Sequence, residues 1–125
     1  MVSIEKLENI LGYTFKNKQL ANMAITHKSY AYDMKKDNLD AYNERIEFLG
    51  DAILEYIISK ELYTRLPNEK EGMLTKRRAR IVCEESLCKV IKEYKLAEFL
   101  KVGKCEIKVK TSKKDAMLAD MFEAL

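Results

Sequence analysis

The chain has 125 residues, 47% of them hydrophobic and 34% charged, yet its formal net charge is only +3. That composition fits one compact domain of near-modal length, able to bury somewhat over ~60% of its unfolded surface; with charges so nearly balanced, their placement matters more than their sum. No membrane span is expected, because no apolar run approaches the ~18 residues it needs, and with Glu5 and Glu8 the first eleven residues show no signal-peptide pattern. The expected compartment is the cytosol. Cys83, Cys88 and Cys105 form no Cys-x-x-Cys pair, and only His27 could join them on zinc, so they read as reduced, buried thiols.

In chain order, Ser3 is placed to cap a first helix with Ile4, Leu7, Ile10 and Leu11 at helical spacing, and Gly12 supplies its stop. A second helix is predicted over about 18–25, with Leu20, Met23 and Ala24 inward. Thr26-His27-Lys28-Ser29 follows as a turn in which His27 can serve as a structural hydrogen-bonding group. Residues 31–42 have no periodic apolar face and read as an exposed loop. A long helix is then predicted over about 42–65, ended by Pro67.

Within that helix Glu44, Glu47, Asp51 and Glu55 fall in a sector of roughly 80° at 100° per residue, opposite Ile46, Leu49, Ile53 and Ile57. Like charges at i,i+3 and i,i+4 repel, and hard oxygen ligands so spaced suit Mg²⁺ or Mn²⁺; a plain solvated face is the other reading. Leu54, Ile58 and Leu62 make the second half apolar all round, which predicts a helix surrounded by other elements.

Lys76-Arg77-Arg78-Ala79-Arg80 puts four basic residues into five positions of the next helix, either as phosphate contacts or as a solvated face. A helix over about 84–94 turns Leu87, Val90, Ile91 and Tyr94 inward. From 101 to 114 the chain collects Lys104, Lys108, Lys110, Lys113 and Lys114 and reads as a mobile basic loop. Ser112, with Asp115 three residues on, would cap a last helix in which Asp120 and Glu123 point the same way.

Two strings identify a family. Asn43-Glu44-Arg45-Ile46-Glu47-Phe48-Leu49-Gly50-Asp51 resembles the ribonuclease III signature, with Ile46 for Leu, and Leu118-Ala119-Asp120-Met121-Phe122-Glu123-Ala124-Leu125 resembles that family's second motif. The Thr-His-x-Ser turn at 26–29 and the Glu71-Gly72-x-Leu74-Thr75 turn before Arg78-Ala79 are similar to family features as well.

The resemblance implies an all-α fold, a helical bundle around the long signature helix, acting as a homodimer through Phe48, Leu49 and Gly50; Phe48 and Leu49 could instead fill the monomer core. It implies that Glu47, Asp51, Asp120 and Glu123 converge on Mg²⁺, replaceable by Mn²⁺. Glu123 would be a direct ligand and Glu47 a shared one, while Asp51 and Asp120, the latter also a ligand, hold the metal's water. Glu44, Glu71, His27, Lys76, Arg77, Arg78, Lys108 and Lys110 are candidates for RNA contact or support of the site.

Two metal ions about 4 Å apart can activate water and stabilise the leaving oxygen, giving 5′-phosphate and 3′-hydroxyl ends on double-stranded RNA. Attack by the 2′-OH with a histidine pair is closed to a chain with one histidine. No organic cofactor or membrane partner is implied. The expected activity is endoribonuclease action in rRNA and mRNA processing; the alternative is a non-catalytic dimerising or RNA-binding remnant. Residues 1–125 are expected to be the nuclease domain, cut short in its last helices and without the family's usual double-stranded-RNA-binding domain.

Overall fold

The computed structural model describes residues 3–36, 38–103 and 111–125. Among these, the regular elements are helical. They are α1 (Ile4–Leu11), α2 (Lys18–Ala24), α3 (Lys28–Asp33), α4 (Glu44–Arg65), α5 (Glu71–Val82), α6 (Glu84–Glu93) and α7 (Thr111–Ala124), with short 3₁₀ turns at Leu39–Ala41 and Ala97–Phe99. The helix α1 is capped as predicted: Ser3 Oγ accepts from the Lys6 N–H, and Gly12, at φ 66°, closes the end in the left-handed region that glycine enters without strain. Glu8 then ties the following loop by accepting from the Phe15 N–H at 2.6 Å and pairing with Lys18.

The core joins Leu7, Ile25, Cys88, Ile91, Leu96, Phe99, Leu118 and Met121. Its central element is α7, not α4. In α7 Met117, Leu118, Ala119, Met121 and Ala124 are all buried, because that helix lies between α4 and α6, whereas α4 has no fully buried residue. The surrounded helix expected at α4 is therefore corrected. Leu49, Ile53 and Ile57 form an open apolar face bordering a groove of about 760 Å³.

The loop expected over 31–42 is also corrected. Its first part is α3, which His27 caps by accepting from the Ser29 N–H and which Ala31 anchors by burial. Behind it, residues 25–27 run beside Lys101 as a short parallel bridge: the His27 N–H donates to Lys101 O at 2.8 Å and the Lys101 N–H to Ile25 O at 2.7 Å. Cys83 is exposed, against expectation, because it is the single extended residue between α5 and α6; Cys88 is buried as predicted.

Ser112 does not precede the last helix but lies in its first turn, and Lys113 and Lys114 belong to that helix. Asp115 instead faces α6, accepting from Lys92 Nζ at 3.1 Å and Cys88 Sγ at 3.3 Å. Cys105, Lys104, Lys108 and Lys110 lie outside the described residues.

Candidate active site

The site forms where the N-terminal half of α4 meets the C-terminal half of α7. Asn43, 2% exposed, fixes the start of α4. Its N–H donates to Thr26 O at 3.0 Å, its Nδ2 to Ala24 O at 3.2 Å, and its own carbonyl accepts from the Glu47 N–H at 2.8 Å. Two turns on, Gly50 lets the helices close. A Cβ built there would overlap the Glu123 carbonyl oxygen and lie 2.7 Å from its carbon, so only glycine fits this approach.

That contact brings the acids of the two helices together. Glu47 is hydrogen-bonded to Asp120, and Asp51 to Glu123. Ligand oxygens of Glu47, Asp120 and Glu123 all lie within 4.8 Å of one another. Burial, then the neighbouring carboxylates, push both Glu47 and Glu123 up to about 7. Burial also raises Asp120, against the pull of its hydrogen bond from Glu47 and of the nearby His27.

Burial, and then the neighbouring carboxylates, thus disfavour the charged forms of Glu47 and Glu123. An all-oxygen, acid-rich donor set of this kind fits a hard divalent cation, whose charge would remove that penalty. Glu55, one turn beyond Asp51, is exposed and outside the group of oxygens close enough to share an ion.

The profile of a family described as Ribonuclease-III-like matches residues 17–125. The chain is 41% identical over 123 residues to Ribonuclease 3 of Pseudomonas entomophila and 44% identical over 119 residues to that of Carboxydothermus hydrogenoformans, covering 98% and 95% of this chain and 50% of each relative. A solved nuclease domain of ribonuclease III from Campylobacter jejuni superposes with a TM-score of 0.83 at 36% identity, over 98% of this chain and 80% of that one. The chain belongs to the ribonuclease III family. It spans about half the length of the curated relatives it matches.

Of the four principal acids expected from the ribonuclease III resemblance, Glu47, Asp120 and Glu123 are brought together, Asp51 is exposed beside them and bonded to Glu123, and the secondary candidates are scattered. Glu44 is exposed at the mouth of the site, 3.9 Å from Lys28 Nζ, and its charge bears on Glu47 and Asp120. Glu71 stands elsewhere, in a cleft with Tyr56, Ser59, Lys60 and Arg78; from Asp51 to Ser59 alone is roughly 12 Å along α4.

Arg77 is clamped by Glu69 through two bonds of 2.5 and 2.6 Å, Arg78 donates to Ser59 Oγ at 2.9 Å, and Lys76 is exposed. Phe48, 82% exposed, and Leu49, 58% exposed, do not fill the core of this chain. Gly50 serves the packing of α4 on α7 within the chain, a role the interface expectation did not include.

Sequence reasoning assigned no role to Asn43 or Glu84. The first sits in the signature string at a helix start, a signal open to reading. The second, at the start of α6, bears on Asp120 through its charge once α6 packs against α7, which leaves no local pattern.

Proposed function

We propose that this chain is the nuclease domain of a divalent-metal-dependent endoribonuclease that hydrolyses double-stranded RNA, leaving 5′-phosphate and 3′-hydroxyl ends, in the processing of rRNA and mRNA precursors. The observation that carries the reading is the convergence of Glu47, Asp120 and Glu123, from two helices of a ribonuclease III chain, into one under-neutralised oxygen cluster, with Asp51 bonded to Glu123 at its edge. Glu47, Asp120 and Glu123 would hold Mg²⁺, with Mn²⁺ as substitute, and Asp51 would orient Glu123. When bound, the ion supplies Lewis-acid stabilisation of the phosphate and lowers the pKa of water. The protein contributes placement: the Asn43 bonds set Glu47, and the Gly50 contact sets Glu123.

The active form is proposed to be a homodimer in the cytoplasm. Its support is the open apolar face of α4 formed by Leu49, Ile53 and Ile57, together with the exposed ring of Phe48; the Campylobacter jejuni nuclease domain has a region described as involved in dimer formation. No helix among the described residues is long and apolar enough to cross a membrane.

The test is incubation with a long perfect RNA duplex and Mg²⁺ beside a chelated control, with the product ends analysed. Metal-dependent short duplexes bearing 5′-phosphates are expected. Folded, dimeric protein that binds the duplex without cutting it would replace this reading by the non-catalytic one.

A further inference from the structure

The two sides of α5 differ in character. Glu71, Leu74, Thr75 and Arg78 turn toward α4 and line the cleft between the two helices. At 100° per residue, Met73, Lys76, Arg77, Arg80 and Ile81 fall in a sector of roughly 140° on the other side, and all five are exposed. Met73 and Ile81, 47% and 41% exposed, are two large apolar side chains about two turns apart on a helix that buries no residue.

The charges on this outer side are uncompensated. Among the described residues Lys70, Lys76 and Arg80 take part in no ion pair. Arg77 does, because Glu69 accepts from its Nε and Nη2 in a two-bond fork. That fork displays the geometry in which the outer side receives a carboxylate, and it withdraws Arg77 from the cations left for a partner. An RNA phosphate backbone would meet the three remaining cations but offers no apolar surface to Met73 and Ile81. A protein segment offers both.

We propose that the outer side of α5 docks a protein partner that presents an acidic amphipathic helix. Apolar side chains of that helix pack on Met73 and Ile81, and flanking aspartates and glutamates meet Lys70, Lys76 and Arg80. With 12 residues, α5 is about 18 Å long, so the contact falls at the low end of protein interfaces. Exposed ion pairs are weak and screened by salt, so the partner is transient and its binding falls as ionic strength rises. The inference is independent of the metal-site reading.

The probe is a synthetic helical peptide of about 20 residues, built from glutamate, alanine and leucine with the leucines in one stripe. It is titrated into the ¹⁵N-labelled full chain at low ionic strength. The amides of Met73, Lys76, Arg80 and Ile81 are expected to shift, with those of Glu47 and Asp120 unmoved. Replacing every leucine of the peptide by alanine is expected to weaken binding about 10-fold. Lys76→Glu combined with Arg80→Glu should melt near wild type, since both side chains are exposed, and should weaken binding about 10-fold.

An absence of binding overturns the proposal, as does equal binding of the leucine-free peptide, which would reduce the face to simple ionic attraction. An RNA duplex in chelator that shifts the same α5 amides and displaces the peptide would assign the face to RNA and overturn it as well.

Discussion

Replacing Gly50 by alanine pits a local gain against a tertiary loss. In the interior of an open helix the change would stabilise by up to about 1 kcal/mol, since glycine is the poorer helix former. At Gly50 the added carbon would overlap the Glu123 carbonyl, at 2.7 Å from its carbon, where carbon contacts settle at about 3.5–4.0 Å. The obstacle is backbone rather than a side chain that can swing away. The C-terminal turn of α7 must therefore withdraw by roughly 1 Å.

Overpacking of this kind costs about 1–3 kcal/mol, so the net loss is about 0–2 kcal/mol and the melting temperature falls by up to roughly 10 °C. A displacement of that size at a catalytic group can cost about 10²-fold in rate. Gly72 provides the control. It lies in the first turn of α5 with nothing within 4 Å of a built Cβ, so Gly72→Ala is expected to be neutral or stabilising. Thermal melts and duplex-cleavage rates at saturating Mg²⁺ measure both variants. A Gly50→Ala protein as stable and as fast as Gly72→Ala would refute the reasoning.

Three further outcomes follow from the same geometry. In chelator, Glu47 and Glu123 sit at about 7 in the folded chain against an ordinary 4.5, so the folded state keeps protons that the unfolded state has released. Their contribution to stability is complete below about 4.5 and is lost as pH rises through about 7; the metal-free melting temperature should fall between pH 5 and 8 and Mg²⁺ should restore it at pH 8, while a flat profile counts against the cluster. Asn43→Ala leaves Ala24 O without its buried donor and should cost about 1–3 kcal/mol in urea melts, a loss under about 0.5 kcal/mol speaking against the role of Asn43. Phe48→Asp should leave the melting temperature of the monomer nearly unchanged, because the ring is 82% exposed, and shift sedimentation from dimer to monomer; a dimer that persists removes Phe48 from the interface.

Helical periodicity was legible wherever an apolar face repeats, as at Ile4, Leu7 and Leu11 or at Leu87 and Ile91. It was silent over Lys28–Asp33, where the helix depends on the His27 cap and on Ala31 meeting the core, neither of which is a periodic signal. Both α4 and α7 are apolar in several directions. Local sequence cannot tell which of them is enclosed, and the fold encloses α7.

The four acids were legible because two strings carry them, yet their pairing, Glu47 with Asp120 and Asp51 with Glu123, exists only once Gly50 lets the helices touch. The basic run illustrates the opposite case. Arg77 and Arg78 are engaged by Glu69 and Ser59, contacts that spacing along one helix does not reveal.

The most direct measurement is the single-turnover cleavage rate of one RNA duplex at saturating Mg²⁺, compared between the wild-type chain and Glu123→Gln. The substitution keeps the side chain's shape and removes one carboxylate from the cluster of Glu47, Asp120 and Glu123. The account predicts metal-dependent cutting by the wild type and its abolition in the variant, with folding and dimerisation intact. Cleavage by Glu123→Gln at the wild-type rate would contradict it.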